Sequence, residues 1–268
     1  MGRLCGIVLI LLLPMSVVSL AAEDVPFQTL QAYLDTDTSH KVDTEVFTAY
    51  LTQLEKKKAS FKHERDFLRF VFHKTHQKFL KHYEAYASFS DLLQTGKYNC
   101  LTGTALYSII LDHFHITYST IETNYHIFIL AEVDGVPVLL EATDPLSGFV
   151  ENEKELATKL AHYRDNTLEN PSRSKEQVQY EFSFNLWETV SLQELTGLLY
   201  FNQAIKSFNE KRLEEATAFL MKAAQFRPSE RMEEFSSIVM AVVKESELPS
   251  AVKQTLATQL KQVKKQST

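Results

Sequence analysis

Two apolar runs joined by Asp134-Gly135 restrict this chain more than any other feature. An Asp-Gly pair between such runs is the strongest short-range signal for a two-stranded hairpin. The segments Thr117 to Thr123, Tyr125 to Val133 and Val136 to Thr143 are rich in β-branched and aromatic residues and are expected to be strands. The second and third are apolar on both faces, so the sheet they form needs cover on both sides. Before them, Leu101 to Phe114 has helical periodicity, with Asn99 placed to cap it. A helix followed by antiparallel strands gives an α+β fold.

The flanks are helical. Asp43 to Lys57 and His63 to Tyr83 carry apolar residues at three- and four-residue steps, among them Val46, Phe47, Tyr50 and Leu54, then Phe67, Phe70 and Val71. Asp43 suits the N-cap of the first. Asn166 to Glu176, with Pro171, reads as a linker or exposed loop. From Leu192 onward the chain is helical again. Arg3, the apolar stretch Ile7 to Leu13 and the small residues around Ala21 have the pattern of a secretory signal. The expected organisation is a signal peptide (1–21), an N-terminal helical region (22–84), a central α+β domain (85–190) and a C-terminal helical region (191–268). The expected location is the periplasm or cell envelope, with no membrane span once the signal is removed. The formal charge of −6 over 268 residues argues against a nucleic-acid partner.

Removing the signal would remove Cys5 and leave Cys100 as the one cysteine. An unpaired cysteine in an exported chain points to a reactive thiol or to intermolecular pairing, and a buried inert side chain is the bland alternative. Cys100 opens a helix, where the helix end favours a thiolate. His126 opens the second strand and Asp144 follows the third. Thiol, imidazole and carboxylate, in that order, are the parts of a cysteine-centred acyl-transfer site. Cys100 would be the nucleophile, His126 the base and Asp144 its orienter. The Cys100 N–H is a natural oxyanion donor, and Tyr98, Asn99, Asn124 and Tyr125 are candidates for the remaining cleft contacts. Strand arithmetic sets a condition. A two-residue turn at Asp134-Gly135 pairs His126 with Thr143 and aims Asp144 at the opposite face, so this triad requires an odd-length turn or a bulge.

The runs GKYNCLTGTALYSIIL, NYHIFILAEVDG and LLEATDP together resemble the transglutaminase-like superfamily of papain-fold proteins. The stretch between cysteine and histidine is short for that family. The resemblance implies a papain-like core and a Cys-His-Asp triad at Cys100, His126 and Asp144. It implies a thiol hydrolase or acyl transferase acting on amide or peptide bonds, with a peptide or protein substrate. Nothing matches the calcium sites of animal transglutaminases, so neither cofactor nor metal is expected. The run from Gly197 to Ser229, with Ala204, Ala216, Ala223 and Pro228, resembles one tetratricopeptide repeat and offers a surface for a protein partner. A plain helical hairpin fits it equally. A non-catalytic scaffold that binds peptide through the cleft or these helices is the alternative function. His73 and His76, three apart on one helix, have no acidic or cysteine neighbours to complete a metal site and are expected at the surface.

Overall fold

The computed structural model describes residues 25–37, 42–165 and 186–267. The signal-like segment, Cys5 and the linker 166–176 lie outside the described residues. Three helices come first: α1 (Val25–Leu34), α2 (Glu45–Lys58) and α3 (Glu64–Phe79). Their buried residues recur at helical spacing, with Phe47, Tyr50, Leu51 and Leu54 on α2 and Phe67, Leu68, Val71, Phe72, Thr75, His76 and Phe79 on α3. Thr44, not Asp43, occupies the cap position of α2, while the Asp43 carboxylate accepts the Glu45 N–H at 2.9 Å.

The third helix ends four residues before the expected Tyr83. His82–Tyr83 (β1) leaves it to pair in parallel with Lys97–Tyr98 (β2), across the short α4 (Phe89–Thr95). Gly96 closes α4 at φ 78°, a conformation natural to glycine, and its carbonyl accepts the Lys81 and His82 N–H groups at 2.8 and 3.1 Å. Those bonds replace the last helical turn that periodicity alone would continue.

The central helix α5 (Cys100–His113) is buried continuously from Leu101 to Leu111. A helix apolar all round belongs inside a domain. It lies against an antiparallel sheet of five strands in the order β6-β5-β4-β3-β7, where β3 is Thr117–Thr123, β4 is Ile127–Val133, β5 is Val136–Leu140, β6 is Phe149–Val150 and β7 is Trp187–Val190. Ile127, Ile129, Ala131 and Val133 of β4 join Val138 and Leu140 in the core shared with α5. Phe128, Leu139, Ile121 and Val150 point to the other face, where Leu156, Leu160 and Tyr163 of α6 (Glu153–Arg164) and Trp187 cover them. The molecule is therefore a mixed α+β structure with its sheet covered on both sides.

Four further helices follow: α7 (Leu192–Asn209), α8 (Leu213–Phe226), α9 (Glu230–Glu245) and α10 (Ser250–Ser267). They share a second core that includes Phe201, Leu220, Val239 and Leu260. Gly197 lets α7 meet α8 closely, since a Cβ there would stand 3.0 Å from those of Phe226 and Arg227. Buried Leu195, Leu198 and Leu199 of α7 belong to the main core, and Tyr200 Oη donates to the Asp35 carbonyl at 3.1 Å. The helical hairpin thus finds cover on both the central domain and the last helices. Among the described residues, no helix is long and apolar enough to cross a membrane.

Candidate active site

The hairpin register decides which acid meets His126. Asp134 and Gly135 have φ of 52° and 72°, and Val133 pairs directly with Val136. This is the two-residue turn that an Asp-Gly pair favours. The ladder runs back without a bulge to Ile129 opposite Leu140. Continued outward, it sets Phe128 beside Glu141 and His126 beside Thr143. The odd turn that Asp144 required is not there, and Asp144 falls on the wrong parity. Glu141 falls on the right one, diagonal to His126 and on the same face.

Glu141 indeed carries the contact. One of its oxygens hydrogen-bonds His126 Nε2 and also accepts the Tyr163 hydroxyl at 3.0 Å. The other accepts the Thr143 N–H at 2.9 Å and the Thr143 hydroxyl at 2.6 Å. Only 5% of the Glu141 side chain is exposed. Burial opposes its charge, but the His126 ring and the two Thr143 donors outweigh burial and hold its carboxyl below the ordinary range. Burial likewise opposes a charged His126, and Glu141 together with the Cys100 side chain pushes its pKa well above the usual imidazole value. The Cys100 side chain lies close enough to the ring to favour its charged form. Since Nε2 faces Glu141, Nδ1 is the nitrogen left for sulfur. Tyr163 packs on the imidazole at a centroid distance of 5.1 Å and stacks on Phe128 at 4.7 Å.

Cys100 carries a free, half-buried thiol in the first turn of α5. Asn99 fixes that turn: its Oδ1 accepts the Thr102 N–H at 2.9 Å, and Thr102 Oγ1 accepts the Asn99 N–H at 3.0 Å. Gly103 brings α5 against the strand end that bears Glu141, for a Cβ there would lie 2.8 Å from that of Ala142.

The other candidates sort by position. Asp144 is a turn former: its carboxylate accepts the N–H groups of Leu146 and Ser147 at 3.2 and 2.8 Å and lies 3.6 Å from the Lys159 ammonium. That turn needs Gly148, where a Cβ would collide with the carbonyls of Glu141 and Asp144. The Asn99 amide donates to the carbonyls of Ala85 and Ala87 at 3.1 Å, so its N–H groups serve the fold and not an oxyanion. Asn124 Oδ1 accepts the Leu186 N–H at 2.6 Å, tying the loop before His126 to the start of β7. Tyr98 lies beside the site: burial raises its phenol pKa, reinforced by the charges of Glu141 and Asp144. Tyr125 is half-buried in the loop before His126.

His76 corrects the surface expectation. His73 is exposed, but His76 is buried among Phe72, Tyr98 and Tyr107. Its spacing from Phe72 and Phe79 was the signal, since it shares their stripe. Burial, aided by His73, lowers its pKa to about 4. Among the described residues no group of histidine, cysteine and acidic side chains is arranged to hold a metal ion. Glu141, Thr143 and Tyr163 are the site residues that sequence reasoning missed. Glu141 alone had a legible signal, in the parity of the Asp-Gly turn. Comparison with known proteins finds no matching family model, no matching curated protein and no matching solved structure.

Proposed function

We propose that the protein is a thiol acyl-transfer enzyme of the transglutaminase-like, papain-fold type, with Cys100 as nucleophile, His126 as acid and base, and Glu141 as orienter. The observation that carries this reading is the buried Glu141–His126 hydrogen bond with the Cys100 thiol close to the imidazole at a helix start. The sequence resemblance points to the same cysteine and histidine, with the acid at Asp144 where the site has Glu141.

In the reaction, the Cys100 sulfur attacks an amide carbonyl carbon, and the Cys100 N–H faces the oxygen that gains charge. The C–N bond breaks as His126 gives its proton to the departing amine. A water or a second amine then attacks the thioester. His126 takes its proton, and the thiolate leaves as the other product forms. Glu141 stays ionised and fixes the ring, with Thr143 and Tyr163 fixing Glu141. The substrate is an amide or peptide of an exported or envelope protein, in keeping with the signal-like N-terminus. Hydrolysis is favoured over cross-linking because water is abundant there.

Alkylation by iodoacetamide across pH tests the reading. An ordinary thiol gains reactivity only as pH approaches roughly 8.5. The expected result is a rate that reaches a plateau well below that pH and loses it in His126→Ala. An ordinary thiol profile in the wild type, unchanged by His126→Ala, would leave a peptide-binding scaffold in its place.

A further inference from the structure

We infer that Arg231, on the C-terminal helices, is a positioning residue for His126; the inference rests on the triad proposed above. Arg231 stands in the first turn of α9, far from the cysteine in sequence, and 14% of its side chain is exposed. Nη1 donates to Glu122 Oε1 at 2.7 Å. Nη2 donates to the carbonyls of Thr123 and Asn124 at 3.1 and 3.0 Å. These residues form the turn that delivers His126. Within it, the Thr123 N–H donates to the His126 carbonyl at 2.8 Å, and the His126 N–H donates to Thr123 Oγ1 at 3.1 Å. The backbone of His126 is therefore held by Thr123, and Thr123 is held by Arg231.

Charge balance alone does not account for this arrangement. Arg227 stands 3.2 Å from the buried Glu122 carboxylate but is shared with Glu188 and Glu194, so charge accounts for one arm of Arg231 and not for the arm on the carbonyls. A second guanidinium adds a planar fork, one arm on the carboxylate and the other on two successive carbonyls, which fixes orientation as well as charge. Lysine supplies the charge but cannot span both partners. Loss of the carbonyl bonds lets the 123–126 turn shift. A misplacement of about 1 Å can cost roughly a hundredfold in a reaction that depends on alignment. The C-terminal helices thus complete a site to which they contribute no reacting atom.

The test uses the full-length protein, with iodoacetamide profiles for wild type, Arg231→Lys and Arg231→Gln. Thermal melts and hydrogen exchange at the His126 amide accompany them. Arg231→Lys is expected to stay folded, to lose at least tenfold in Cys100 alkylation at pH 6, and to exchange the His126 amide faster. A folded variant with the wild-type profile would overturn the inference and leave the triad standing. A wild-type profile without the low-pH plateau would sink the triad and the inference together. Should both variants unfold, wild-type exchange under rising denaturant decides: the His126 amide is expected to stay protected until α9 opens, and its earlier loss would refute the role.

Discussion

At the residue scale, two carboxylates three positions apart have different tasks because of their surroundings. Glu141 is buried and turned to the imidazole, while Asp144 is half-exposed and closes a turn. Glu141→Gln is therefore expected to lower Cys100 alkylation near pH 6 by about ten- to a hundredfold. Asp144→Asn keeps the turn acceptor and is expected to leave the profile within about twofold, measured in the same assay. A large effect from Asp144→Asn with none from Glu141→Gln would reverse the assignment. The pair also shapes stability. His126 has a raised pKa, so its contribution is complete below the ordinary imidazole value and is lost as pH climbs through the raised one. Glu141 has a lowered pKa, so its contribution is complete above the ordinary carboxylate value and is lost as pH falls through the lowered one. The gap in urea midpoint between wild type and His126→Gln is expected to be widest near pH 5 to 6 and to close in the alkaline range.

At the scale of elements, the site depends on one turn and one close approach. Gly135 has a positive φ and open space where a Cβ would stand, so Gly135→Ala meets only backbone strain. It is expected to cost about 1 kcal/mol in chemical denaturation, the usual penalty for a left-handed residue, and to leave Cys100 reactivity alone. Gly103→Ala meets the Ala142 side chain and must push α5 from the strand end. That overpacking is expected to cost about 1–3 kcal/mol and, unlike Gly135→Ala, to depress alkylation at low pH. Equal effects of the two substitutions on reactivity would show that helix-to-strand spacing does not set the site. The turn was legible because Asp-Gly has few alternatives between apolar runs. The shortened α3 was not, because the ladder that ends it pairs residues 82–83 with 97–98.

Across the whole molecule, the main core joins the N-terminal helices, α5, one sheet face and the start of α7. His76 sits within it, neutral at ordinary pH. A buried histidine with a lowered pKa opposes folding once the unfolded chain takes up protons, so its cost begins below about pH 6.5 and grows until the folded value near 4 is reached. His76→Phe is expected to preserve stability on the order of 1–3 kcal/mol better than wild type near pH 4, relative to pH 7, by urea denaturation. An unchanged acid limb would mean that His76 is not desolvated in solution.

The order of residues along the chain was enough for the α+β class, the strands, the place of the hairpin at Asp134-Gly135 and the positions of Cys100 and His126, because propensity, capping and the period of two act over a few residues. It even contained the parity that excludes Asp144, since face alternation follows from turn length alone. Packing in three dimensions supplied what remained. Thr143 and Tyr163 gather on Glu141, and Arg231 reaches the turn before His126, through chain separations that no local rule encodes. Hydrogen bonds and burial choose among same-face residues only once distant elements have packed together.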